Sequence, residues 1–143
     1  MTPEQIFSIV NLMATAGWLL LVVLPRRRWV TDVVTSLVIP LMLAILYVAI
    51  VATTFWRTPG GFSTLAAVGT LFSNPWALLA GWIHYLAFDL FVGTWEVRDS
   101  HEHGVSHWLV VPCLVLTFLF GPAGWLLYRG VRRVSTSAVR VER

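Results

Sequence analysis

The ionisable side chains of this sequence are concentrated in one short stretch. All four histidines and four of the seven acidic residues lie between residues 84 and 107. His84 and Asp89 fall inside an apolar run, where an ionisable side chain is costly unless it is paired or hydrated. Imidazole and carboxyl groups act as general bases and acids. The stretch therefore predicts a site for proton transfer or for a metal ion, with His84, Asp89 and Glu96 as the candidates.

On a regular helix these side chains do not all share one face. At about 100° per residue, one face groups Trp82, Tyr85, Asp89 and Glu96. His84 points about 140° away from Asp89, so a metal ion held tightly by these two would need a bulge or a second helix. We therefore predict no metal ion and no cofactor at this site.

The histidines beyond this run have the spacing of a metal loop. His103 and His107 are four residues apart, but the order His-Glu-x-x-His is absent and Gly104 interrupts the helix. Bis-histidine haem is disfavoured, because His84 and His107 would differ in depth by more than about 10 Å. A single metal ion at the end of the run stays an alternative. Its ligands would be His101, His103 or His107 with Glu96 or Asp99.

The composition is that of an integral membrane protein. Hydrophobic residues make up 57 % of the chain and charged residues only 12 %. A transmembrane helix needs roughly 20 apolar residues, whereas a soluble domain exposes many more charged side chains. A soluble enzyme, a disordered chain and a disulfide scaffold are therefore excluded, the last because there is one cysteine.

Four apolar runs are long enough to cross a membrane: residues 6–24, 33–53, 76–95 and 105–128. Pro40 predicts a kink in the second run, and Pro112 predicts an irregular fourth. The segment 58–73 is too short and polar to cross, so we expect an interfacial or re-entrant helix or a loop there. The predicted fold is an all-α bundle of four transmembrane helices forming one domain over residues 1–130, with a basic tail over 131–143.

The charged residues predict where the chain lies and what it meets. All ten basic residues are arginines, and the clusters beside the runs would meet anionic lipid headgroups. Four spans place both termini on one side, and six arginines there against four opposite favour cytoplasmic termini. Nucleic acid is excluded, since no basic stripe lies on a soluble face. We expect a protein of the bacterial inner membrane with lipids as partners, and leave a homo-oligomer open.

Three blocks of the sequence carry a family resemblance: Phe7–Pro25, Gly61–Phe72 with Gly81–Gly93, and Pro112–Cys113 with Gly121–Gly124. The most specific string runs from Trp82 to Phe91 and holds both His84 and Asp89. In these blocks the chain resembles the membrane family of the plant abscisic-acid-deficient-four protein. The likeness covers most of the chain up to about residue 130.

This resemblance implies a function. In plants the family is implicated in forming neoxanthin from violaxanthin, so the chain is expected to bind or isomerise a carotenoid or a related isoprenoid lipid. Opening an epoxide to an allenic alcohol is redox-neutral, and it needs an acid at the oxygen and a base at the adjacent carbon. A carboxyl group buried near hydrocarbon can stay protonated and serve as the acid.

On this hypothesis Asp89 or Glu96 is the acid and His84 the base, and the roles are exchangeable. Asn11, in the first run, either bonds a neighbouring helix or belongs to the site. Two alternatives stay open: a non-catalytic membrane protein that binds lipid, pigment or a partner protein, and a metal-binding membrane protein. Whether the chain is an enzyme is left open. The candidate substrate-binding residues are Trp82, Tyr85, Phe88 and Asn11.

Overall fold

Six helices build the part of the chain that the computed structural model describes, residues 1–141, with side chains described through residue 135. No strand occurs in this part, and the predicted all-α fold is confirmed. The predicted basic tail is helical as far as Val141, and residues 142 and 143 lie outside the described part. The helices are α1 Pro3–Val23, α2 Val30–Arg57, α3 Leu65–Phe72, α4 Pro75–Glu102, α5 His107–Phe120 and α6 Pro122–Val141.

Three of these helices, α1, α2 and α4, are long and apolar enough to cross a membrane, which indicates a membrane protein. Side chains fix where two of them begin. The Thr2 hydroxyl accepts the backbone N–H of Gln5 at the start of α1, and the Asn74 side chain accepts that of Trp76 at the start of α4. At about 1.5 Å per residue α4 is roughly 42 Å long. It therefore exceeds the hydrocarbon core of about 30 Å.

Helix α2 changes its hydrogen-bond pattern where the sequence predicts a kink. Its first part, Val30–Val38, is a π-helix, and the chain becomes α-helical from Ile39. Pro40 has no N–H to donate, so the ordinary bond to the carbonyl four residues earlier is missing. The backbone N–H of Ile39 instead reaches the carbonyl of Val34, five residues back. The proline is accommodated by a wider helix.

A short helix forms in the segment between α2 and α4. The Thr64 hydroxyl accepts the N–H of Ala67 at 3.1 Å and so caps α3. The turn before α3 needs glycine, because Gly60 has a φ of 103° and a Cβ there would lie 2.5 Å from the carbonyl oxygen of Ala67. Helix α3 packs against α4 and brings its apolar side chains towards α2.

The region expected to form a fourth span folds as two helices. Helix α5 ends at Gly121, whose φ of 43° is left-handed and favours glycine, and Pro122 begins α6. A Cβ at Gly124 would overlap the backbone of Thr117, so the two helices approach each other closely just after the turn. Helices α5 and α6 therefore form a tight helical hairpin.

Contacts with α4 show that this hairpin enters and leaves by the same end of the bundle. Near its turn, the Tyr85 hydroxyl donates to the carbonyl of Phe118 at 3.1 Å. Where α6 leaves, the Tyr128 hydroxyl donates to Oδ2 of Asp99 at 2.5 Å, close to the C-terminal end of α4. Residues 105–128 thus run in along α4 and return to the same end, so the expected fourth crossing is not confirmed.

The two ends of the described chain consequently lie at opposite ends of the bundle. Phe7 contacts Trp82 in the first half of α4, with ring centroids 5.7 Å apart, whereas Arg132 lies 3.2 Å from Asp99 near its last turn. The sequence-based expectation of both termini on one side differs from this arrangement. Seven of the eight arginines with described side chains now share the end where α4 finishes, and Arg57 lies at the other. That asymmetry favours a cytoplasmic location for the arginine-rich end.

Cysteine labelling tests the hairpin. In a Cys113→Ala background, we expect Gly61→Cys and Val134→Cys to react with a membrane-impermeant maleimide from opposite sides of the membrane. Arg27→Cys should react from the same side as Val134→Cys. Position 61 has open space around its Cβ, and Val134 is 73 % exposed, so both cysteines should be accessible. Labelling of positions 61 and 134 from one side would instead establish a fourth crossing.

The close approach inside the hairpin predicts a pair of opposite stability effects. Gly124→Ala forces α6 away from Thr117, and overpacking of this kind costs about 1–3 kcal/mol. Gly130→Ala, further along α6, meets nothing within 4 Å and should gain up to about 1 kcal/mol from helix propensity. Melting temperatures in detergent measure the stability of both variants against the wild type. An unchanged melting temperature for Gly124→Ala would contradict the packing of α6 on α5.

Candidate functional site

A cavity of about 590 Å³ lies between α2, α3 and α4. Its volume is in the range of about 300–1,000 Å³ that is typical of small-molecule sites. The walls are mainly aliphatic and aromatic, with few polar groups. Six of the side chains that line it are Tyr47, Val51, Phe55, Phe62, Phe72 and His84.

The sequence predicted three ionisable residues as candidates for the site. Of these, His84 is the one that lines this cavity. Its ring stacks on Phe88, a predicted substrate-binding residue, with centroids 4.5 Å apart, and lies 5.9 Å from the ring of Tyr47. Among the side chains described, through residue 135, none hydrogen-bonds the imidazole. Both ring nitrogens are therefore available to hydrogen-bond a polar group on a ligand.

The shape of the cavity depends on close contacts around α3. A Cβ at Gly81 would lie 2.7 Å from Cε1 of Phe72, so the glycine lets α3 approach α4. At the other side the rings of Phe55 and Phe62 stack, with centroids 5.8 Å apart and planes inclined by 15°. These contacts hold the short helix and its preceding turn over the cavity.

The two candidate carboxyl groups lie on another face of α4, against the α5–α6 hairpin. Glu96 is completely buried, and the Thr117 hydroxyl donates to its Oε1 at 3.0 Å. A Cβ at Gly121 would lie 2.9 Å from Oδ1 of Asp89, so the hairpin turn rests on this carboxyl group. Oε2 of Glu96 and Oδ2 of Asp89 are buried without a hydrogen-bond partner among the described residues. Both groups therefore keep one oxygen that could hold a proton.

The structure does not bring together the acid and the base that the sequence suggested. His84 faces the cavity with α2 and α3, whereas Asp89 and Glu96 face α5 and α6. Helix α4 is regular throughout, so the angular separation expected from the sequence is kept. A mechanism in which His84 and one of these carboxyl groups act on the same atoms of a substrate is not supported by this geometry.

Three of the predicted substrate-binding residues make contacts between helices. The Trp82 indole N–H donates to Oδ1 of Asn11 at 3.0 Å and so joins α4 to α1. The Tyr85 hydroxyl is bonded to the carbonyl of Phe118, which joins α4 to the hairpin. The rings of Trp82 and Tyr85 also stack, with centroids 5.3 Å apart. None of the three lines the cavity that contains His84.

The residues proposed for a rim metal site belong mainly to an ion-pair network. Asp99, Glu102 and His103 are close enough to share one metal ion. The Asp99 carboxylate, however, already accepts the Tyr128 hydroxyl and lies 3.2 Å from Nε of Arg132. The predicted ligand His107 is turned away, since its Nε2 hydrogen-bonds the carbonyl of Val22. This arrangement fits a structural link between α4 and α6 better than a metal centre.

Several residues around the cavity were not singled out from the sequence. Tyr47 lies in an uninterrupted apolar run, where an aromatic ring is indistinguishable from ordinary lipid-facing or core packing. Phe55 and Phe62 follow that run at its end, where aromatic side chains commonly anchor a helix at the interface. Only the packing of α3 over α4 turns these three side chains into the walls of one cavity.

The apolar helices and the cavity between them define a small helical membrane protein. Residues 5–128 match the sequence model of the ABA DEFICIENT 4-like family, also called ABA4-like, and the chain belongs to this family. The match confirms the resemblance seen in the sequence and includes the cavity, α5 and the first turns of α6. Comparisons with curated proteins and with solved structures give no match.

Proposed function

We propose that this protein binds a carotenoid or a related isoprenoid lipid in the cavity between α2, α3 and α4. The observation that carries the proposal is an aromatic-lined cavity of about 590 Å³ with one imidazole in its wall. Membership of the ABA4-like family supports the same class of ligand. A polyene with ring or methyl substituents presents flat, apolar surfaces that suit aromatic walls.

Selectivity of the cavity for an isoprenoid over a lipid tail has to come from packing and from His84. Lipid tails are as apolar as an isoprenoid, so the hydrophobic effect alone does not favour one over the other. The stacked rings of Phe55 and Phe62 and the close Gly81–Phe72 contact give the cavity a defined shape. His84 adds a hydrogen bond to a hydroxyl or epoxide oxygen, which is strong in a low-dielectric environment. The protein therefore favours an oxygenated isoprenoid over an acyl chain.

A second candidate function is isomerisation of that ligand, and the position of Tyr47 favours it. The Tyr47 phenol and the His84 imidazole line the same cavity, with their rings 5.9 Å apart. Tyr47 would protonate an epoxide oxygen as the C–O bond breaks, while His84 removes a proton from the adjacent chain carbon. Proton return from the imidazolium to the phenolate completes a redox-neutral cycle. Tyr47 thus replaces the carboxyl groups in the role of acid, and His84 keeps the role of base.

Filling the cavity tests binding. We expect Val51→Trp to reduce the isoprenoid that co-purifies with the protein at least about tenfold, since the indole occupies part of the cavity. Ile45→Trp is the matched control, because Ile45 lies on the same helix, is 62 % exposed and does not line the cavity. Absorption spectra and mass spectrometry of organic extracts measure the retained ligand. Equal retention by Val51→Trp, or empty extracts from folded wild-type protein, would refute the proposal.

Turnover of an epoxy-carotenoid in reconstituted vesicles tests catalysis. Tyr47→Phe and His84→Ala should each lower product formation by about 100-fold or more, which is the usual contribution of a general acid or base. Glu96→Gln should leave the rate unchanged, because Glu96 faces the hairpin. Normal turnover by both cavity variants would exclude this mechanism and leave binding as the function. Loss of turnover in folded Glu96→Gln alone would move the chemistry to the other face of α4.

A further inference from the structure

A second cleft, of about 1,050 Å³, opens at the arginine-rich end of the bundle, where α4 finishes. It lies between the α1–α2 turn and the connection from α4 to α5. The turn contributes three consecutive arginines, and the two helix ends that flank the connection contribute two imidazoles. These basic residues are Arg26, Arg27, Arg28, His101 and His107.

The charge of the three arginines is not balanced from within the described chain. Arg26, Arg27 and Arg28 are all exposed, and no carboxylate in residues 1–135 lies within ion-pair distance of them. Asp32, the acidic residue nearest in sequence, is directed towards Arg98 at 3.8 Å. Three adjacent like charges repel one another and produce a strongly positive potential in a cleft. An external anion would relieve this repulsion.

Backbone and side-chain bonds hold the two walls of the cleft in place. The Nε2–H of His107 donates to the carbonyl of Val22 at 2.9 Å, which ties the start of α5 to the end of α1. In the turn itself, the N–H of Arg27 donates to the carbonyl of Leu24, and that of Val30 donates to the carbonyl of Arg27. The arginine backbones are therefore positioned before any ligand binds, which lowers the entropic cost of binding.

The cleft is amphipathic, because apolar side chains continue from its basic rim towards the membrane. Val23 is 69 % exposed and Trp108 is 83 % exposed, and both line the cleft. Val111, one helical turn beyond His107, lies about 6 Å deeper along α5. A small soluble anion would use only the rim. A phospholipid would use both parts, with its phosphate at the arginines and an acyl chain along Trp108 and Val111.

We infer that this cleft binds an acidic phospholipid of the surrounding bilayer through its phosphate headgroup. Guanidinium groups bind phosphate oxygens through paired N–H donors. The location also fits, since basic clusters next to a membrane span attract anionic lipid headgroups. This inference does not depend on the ligand of the apolar cavity, which lies towards the other end of α4.

The test compares retention of phosphatidylglycerol with retention of phosphatidylcholine. The full chain is reconstituted in phosphatidylcholine vesicles with or without phosphatidylglycerol, extracted in mild detergent, and the bound lipids are quantified by mass spectrometry. We expect selective retention of phosphatidylglycerol by the wild type. The combined Arg26→Gln, Arg27→Gln and Arg28→Gln variant should lose it, by about fivefold for each arginine removed.

Two further substitutions separate a cleft from general surface charge. Val111→Trp fills the apolar part and keeps every arginine, so we expect it to abolish the preference. Leu109→Trp lies on the same helix, is 48 % exposed and does not line the cleft, so it should behave as the wild type. Arg57→Gln removes an arginine at the opposite end of the bundle and should also have no effect. Size-exclusion chromatography confirms that each variant is folded.

Three outcomes would overturn the inference. Undiminished retention of phosphatidylglycerol by the triple arginine variant would show that these arginines do not bind it. Undiminished retention by Val111→Trp would show that the arginines attract headgroups only as surface charge. If inorganic phosphate raises the melting temperature as much as phosphatidylglycerol does, the cleft is a soluble-anion site and not a lipid site.

Discussion

The packing of the α5–α6 hairpin on α4 is the constraint on which the other features depend. A chain reversal at membrane depth exposes backbone groups that lipid cannot satisfy, so it must be covered by protein. Gly121 and Gly124 make this possible, because a side chain at either position would press on α4 or α5. The buried hydrogen bond between Thr117 and Glu96 joins the same surfaces. With this face of α4 covered by the hairpin, the aromatic-lined cavity lies on the face towards α2 and α3.

Helix α4 thereby separates two kinds of chemistry. Its covered face carries the Asp89 and Glu96 carboxyl groups against the hairpin, and its open face presents His84 to an apolar cavity. At its C-terminal end the Asp99 network attaches α6, and the basic cleft opens at the same end of the bundle. A ligand taken from the bilayer core and a ligand held at the bilayer surface would therefore occupy different parts of one small bundle.

The fourth span was predicted from the length of an apolar run, but length does not distinguish one crossing from a hairpin over residues 105–128. One crossing and two half-crossings need the same number of apolar residues. The Gly121–Pro122 step was visible as a break, but the sequence does not say on which side of the membrane the chain continues after it. Contacts of Tyr85 and Asp99 with α5 and α6 settle that direction. The prediction that both termini lie on one side depended on counting residues 105–128 as a single span.

The sequence by itself determined the all-α fold, the family and the relative directions of His84 and Asp89. These follow from composition, from recognisable strings and from the rotation of about 100° per residue in any α-helix, all of which are local. Only the tertiary structure decided which face of α4 is covered and that Tyr47 shares a cavity with His84. Those relations join residues far apart in the chain. They depend on how closely whole helices can approach, which is set by packing at positions such as Gly81 and Gly124.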